Sequence, residues 1–164
     1  MNTRSFFLSL ALCLTLTGCH SIVNFESSLE TPDFPKSYSG LLILRDVNTK
    51  EEFKIKDIES HLSYDTHMYS MDATIELQGV PLNPKEGEAP ATLTIKNLNA
   101  HEFGDDFDTT GDTTLWVNEQ AYKVTYCQGG IQDWSESKGF YRLFLAIKAE
   151  GFPYVIDYDG RTTY

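Results

Sequence analysis

Cysteine is scarce in this chain: 164 residues contain three. A disulfide-stapled scaffold needs a denser, even-numbered set, so that class is excluded. Positive charge is also short. Lys and Arg total 13 against 24 Asp and Glu, a formal net charge of -11. Nucleic-acid binding requires a basic footprint to displace counterions, so the balance argues against nucleic acid as a partner. It equally disfavours lying flat on an anionic lipid surface. Helical patterning is missing, because no stretch of ten or more residues sustains an i, i+3, i+4, i+7 apolar stripe. The Gly-x-Ser-x-Gly elbow of acyl-transfer enzymes and the glycine-rich loops that cradle phosphates are absent. No carboxylate pair is singled out for glycoside hydrolysis. These absences lead to the expectation of a non-catalytic protein. What is present, 41% hydrophobic and 23% charged residues, suits one folded domain.

The first residues carry an address. Arg4 precedes an apolar run from Phe6 to Leu16. The run fits a signal-peptide core and falls short of the ~20 residues of a transmembrane helix. It ends in Leu16-Thr17-Gly18-Cys19, and Cys13 lies inside it. The arrangement resembles the lipobox of bacterial lipoproteins. The resemblance covers these residues alone and implies a signal peptide over 1–18. It also implies a diacylglycerol group on the Cys19 thiol, with a further acyl chain such as palmitate on its amine. Two or more chains make such an anchor durable, at about 0.8 kcal/mol per buried CH₂. His20, rather than Asp, follows Cys19. By the same resemblance this leans towards the outer membrane in a Gram-negative host. The expected localisation is the bacterial cell envelope, with the membrane as partner through Cys19.

Residues 19–37 read as the lipidated Cys and a polar tether with Ser27-Ser28, Pro32 and Pro35. Alternatively Ile22, Val23 and Phe25 begin the domain as an edge strand. From 38 to 164 the period is mostly two. Leu41, Ile43 and Val47 alternate, yet Leu42 and Leu44 are apolar too, as in a strand buried on both faces or one crossing a core. Asn48-Thr49-Lys50 turns the chain into Phe53 and Ile55. Met71, Ala73, Ile75 and Leu77 give the cleanest half-buried strand. Ala91, Leu93 and Ile95 alternate, and Leu98 falls out of phase, which predicts a bulge or a strand end there. Leu115 and Val117 are followed by a turn and by Tyr122, Val124 and Tyr126. Gly129-Gly130 opens an expected loop running to Gly139. Tyr141, Leu143, Leu145, Ile147 and Ala149 form a long strand that returns through Phe152, Tyr154, Ile156 and Tyr158. The sum is an all-β domain: an antiparallel β-sandwich or small β-barrel of about eight strands.

Four features carry candidate chemistry. Asp106, Asp108, Thr110 and Asp112 are spaced two apart with Gly111 between, the oxygen-ligand spacing of a calcium loop. The twelfth position is Val117, which cannot supply a bidentate carboxylate, so an acidic solvated loop is the competing expectation. His61, His67 and His101 lack zinc-ligand spacing. Cys127 is the thiol left after lipidation and has no cation beside it in sequence. Trp134 lies in the segment Gln128–Tyr141, either as a contact residue or folded back as a lid on the core. The acidic balance favours a basic envelope protein as partner by steering. A non-catalytic protein-binding or scaffold domain is the first expectation. A small-ligand, glycan or calcium-binding module is the second, and a hydrolase the third.

Overall fold

The structure is a computed structural model and describes residues 33–66, 70–83, 89–101 and 106–163. The expected signal peptide, Cys19 and most of the tether lie outside the described residues. The strands are β1 (Ser37–Asp46), β2 (Glu52–Thr66), β3 (Ser70–Val80), β4 (Ala91–His101), β5 (Asp106–Val117), β6 (Gln120–Trp134), β7 (Phe140–Ala149) and β8 (Tyr154–Thr163). A four-residue helix, α1 (Ser135–Lys138), joins β6 to β7. Each strand pairs antiparallel with the next, and β8 pairs with β1. The result is a closed eight-stranded up-and-down barrel, so the fold is the barrel of the two expected architectures.

Alternation makes the barrel amphipathic. On β3, Met71, Ala73, Ile75 and Leu77 point inward and are buried, while Asp72 and Gln78 are exposed. An eight-stranded barrel is just wide enough inside for side chains to fill it. Here Leu42, Leu44, Ile75, Leu93, Ile95, Leu115, Ile131, Leu143 and Ile147 are among the large side chains that fill it, and all are fully buried. Outward positions of β2 carry Lys54, Lys56, Glu59, His61 and Asp65, all exposed. A membrane-spanning barrel reverses this order, with an apolar outer band and a polar interior.

Closure needs bends, and bulges supply them. The predicted break at Leu98 is one: the β4–β5 register shifts between Lys96 and Leu98, with Asn97 at φ 58°. Asp57, at φ 59°, sits opposite a second shift between Gly40 and Leu42. Gly40 and Gly129 mark close approaches. A Cβ on Gly40 would press on the Asp159 carbonyl of β8, and one on Gly129 on the Phe144 carbonyl of β7.

Two corrections concern loops. Residues 128–134 belong to β6, and only α1 and Gly139 separate β6 from β7. The acidic stretch 106–112 is the first half of β5, paired with β4 as His101↔Asp106 and Asn99↔Asp108. The end of the expected tether is also structured. Phe34 is buried, its N–H donates to the Tyr64 hydroxyl at 3.0 Å, and its ring meets Tyr64 and Tyr141 edge-on. The chain therefore enters the barrel beside the β6–β7 connection.

Candidate binding face

The outer wall of β6, β7, β8 and β1 is built in cross-strand rows. Register places Ile43, Asp157, Ala146 and Gln128 in one row. Leu41, Asp159, Phe144 and Gly130 form the next, and Ser39, Arg161, Arg142 and Gln132 the one after. Leu41, Ile43, Phe144 and Ala146 alternate with fully buried neighbours, so they face outward, and all four are half-buried. They line a groove of about 430 Å³ whose floor carries Asp157 and Asp159. Strands lie ~4.8 Å apart, so the two apolar lips stand roughly 10 Å from each other across β8.

Charge in the groove is fixed. Arg142 grips Asp159 with two parallel hydrogen bonds, Nε to Oδ1 at 2.8 Å and Nη2 to Oδ2 at 2.9 Å. Its third arm donates to the Gln132 Oε1 at 3.1 Å, and its guanidinium lies 5.0 Å from the Phe144 ring. The hydrogen bonds to Asp159 raise the Arg142 pKa further above its ordinary value. Arg45 approaches Asp157 at 3.6 Å and Glu52 at 3.0 Å. The forked Arg142 pair is the stiffer anchor, because planar bidentate contact restricts both partners.

Trp134 stands at the lower rim of the same wall, at the last residue of β6. Its ring meets Phe140 edge-on at 5.5 Å, and the Lys138 ammonium sits 3.5 Å from its centroid. Arg161 lies 5.0 Å from the Phe140 ring. Asp133 accepts from the Ser135 N–H at 2.9 Å, and its hydrogen bonds to Ser135 hold its carboxyl below the ordinary value. Trp134 is thus a half-buried surface residue braced by cations, and it is not a lid over the barrel core.

The other candidate residues are spread out. Asp106 and Asp108 are exposed on an extended strand, with buried Phe107 between them. Their side chains point the same way about 7 Å apart, rather than curling round a shared centre. The hydroxyls of Thr110 and Thr113 both donate to the Asn97 carbonyl, at 3.2 and 2.7 Å, closing the bulge. Asp112 contributes its carbonyl to Asn97 Nδ2. Among the described residues, no group of three or more His, Cys, Asp or Glu could hold a metal ion. His61 Nδ1 shares a hydrogen bond with Ser37 at 3.1 Å, and His67 lies outside the described residues. Cys127 packs against the core. Burial, and then the nearby Asp108 charge, push its thiol up to about 12.

Sequence reading missed the groove, although a signal was there. Leu41 and Phe144 interrupt inward alternation with apolar residues on the other face, and such continuous apolar runs mark an outer wall that also excludes water. Comparison with protein-family models, curated proteins and solved structures gives no match for this chain.

Proposed function

We propose that this chain is a lipid-anchored cell-envelope protein whose barrel is a non-catalytic docking domain for another protein. The anchor is Cys19 in the box Leu16-Thr17-Gly18-Cys19. The observation that carries the docking assignment is the groove over β8. It sets apolar side chains from β1 and β7 round a clamped carboxylate–guanidinium pair, on the outside of a barrel whose interior is already filled. Exposed apolar groups set beside a fixed guanidinium are a common mark of protein recognition, where Arg and aromatic side chains are favoured. A filled interior leaves a small ligand the outer grooves rather than the lumen, which supports the protein-binding assignment over a ligand carrier. The surplus of acid elsewhere on the chain favours a partner with basic charge by long-range steering.

The test is affinity capture from detergent-solubilised envelope with the full-length chain, washed at low and then high salt. Wild type should retain a defined partner. Phe144→Ser, with its melting temperature checked, should lose it. Equal recovery by both would overturn the groove as the docking face.

A further inference from the structure

We propose that the barrel end holding α1 touches the lipid headgroups of the membrane that anchors the chain, with Trp134, Phe140, Lys138 and Arg161 as the contact. The inference rests on lipidation at Cys19.

The described chain begins at this end of the barrel, so it is the end nearest the anchor along the chain. Fourteen steps separate Cys19 from Asp33, a span of at most roughly 50 Å at ~3.5 Å per residue. Asp33 is followed by Phe34, whose ring packs on Tyr141, the second residue of β7. The lipidated segment therefore reaches the barrel at the β6–β7 connection. The opposite end, with the β1–β2 and β7–β8 turns, lies a full strand further away.

The chemistry of the corner fits that place. Trp and Lys are residues that straddle a membrane interface: indole offers apolar area with a polar edge, and an ammonium extends to the headgroups from an aliphatic stem. Trp134 and Phe140 form an edge-on pair half open to solvent, and Lys138 and Arg161 sit against their faces. Lys36, exposed at the chain's entry, adds a third cation. Asp133 is turned away to hold the Ser135 N–H. A net charge of -11 opposes contact over a broad surface; at the corner Lys36, Lys138 and Arg161 offset Asp33, Asp133 and Glu136, so the repulsion is locally relieved.

The chain supplies its own ruler. Trp116 lies near the far end of β5, opposite Ala121, and thirteen residue steps along β6 lead from Ala121 to Trp134. At ~3.3 Å per residue this is roughly 40 Å of strand. Full-length, lipidated protein would be reconstituted into phosphatidylethanolamine–phosphatidylglycerol vesicles with brominated acyl chains, which quench tryptophan on contact. Trp116→Phe leaves Trp134 as reporter, and Trp134→Phe leaves Trp116. The expected result is flotation with the vesicles, quenching of Trp134 by at least half, and none of Trp116. Lys138→Glu combined with Arg161→Glu should remove most of the Trp134 quenching without preventing flotation. Flotation with neither tryptophan quenched would overturn the contact and leave the anchor standing. Equal quenching of both would overturn the end-on arrangement. Failure to float would overturn the anchor and the contact with it. A Trp134 change produced by envelope protein extract, and not by vesicles, would assign the corner to a protein and overturn the lipid contact.

Discussion

The barrel has two unlike walls. Strands β2 to β5 carry nine acidic residues and three lysines, whereas β6, β7, β8 and β1 carry four acids and five bases. Arg45, Arg142 and Arg161 all lie in the second set. On the acidic wall, outward side chains are mostly polar, as Asp106 and Asp108 are, with Trp116 under Lys96 the aromatic exception. On the other wall, Leu41, Ile43, Phe144 and Ala146 share the outer face with paired charges. Both walls enclose one interior and obey one alternation. The difference teaches that the inner face specifies the barrel while the outer face is free to diverge, so function is to be sought where outward residues depart from plain polarity.

If the walls share one core, they must melt together. Leu93→Ala behind the acidic wall and Leu145→Ala behind the other should each cost about 2–5 kcal/mol, since both side chains are buried. Urea unfolding followed by Trp116 and Trp134 separately should give one coincident transition; two transitions would break the single-barrel account.

The seam between the walls can be probed at Cys127, whose thiol feels Asp108 from across it. With its pKa pushed up to about 12, the thiolate fraction is about 10³-fold below that of an ordinary thiol. Its reaction with a disulfide reagent at pH 8 should be at least about ten-fold slower than that of a model thiol, because the higher nucleophilicity of a high-pKa thiolate offsets part of its scarcity. A rate near that of the model thiol would contradict the burial described.

Next in size comes the clamp. Arg142→Ala should cost about 1 kcal/mol, because the forked pair is only half-buried and solvent screens it. Arg142→Lys should fail to restore that loss, as an ammonium cannot make both bonds. Arg45→Ala, on a more exposed pair, should cost ~0.5 kcal/mol or less. Equal losses at the two arginines would remove the distinction between a clamp and an ordinary surface pair.

The smallest effect is at acid pH. Backbone N–H groups of Thr49 and Asn48 bond the Asp46 carboxylate and hold it below its ordinary 3.8. Asp133 is lowered by Ser135 in the same way. A lowered folded value means the stabilisation is present above the unfolded value and lost as pH falls through the folded one. Carbon NMR titration should find both carboxyls ionising below 3.8, and the stability contributed by each disappearing below that pH. Ordinary titration of Asp46 would show that its turn is not closed as described.

Much of the fold was legible in the residues. Met71 to Leu77 and Leu143 to Ala149 alternate cleanly, and Leu98, out of phase, marked a bulge or a strand end, of which the structure has the bulge. Barrel against sandwich was not legible, because closure depends on β8 meeting β1, a pairing between residues more than a hundred apart in sequence. Strand β6 was misread at Gly129-Gly130, since paired glycines usually mark a loop. Gly129 is there because β7 passes too close for a side chain, and Gly130 sits opposite Phe144. The stretch from Asp106 to Asp112 hid its strand for the opposite reason. Acidic residues are poor strand formers by propensity, and pairing with β4 outweighs that here. The groove draws on four strands at once, and no local window of sequence contains it.

The central claim is that the β6–β8–β1 wall, and not the acidic wall, meets a protein partner. It is tested most directly by installing a photo-crosslinking amino acid in the full-length chain in its cells, once at Leu41 and once at Glu76. The account predicts a discrete protein adduct from position 41 that is absent or far weaker from position 76. An adduct from position 76 alone, or equal adducts from both, would contradict it.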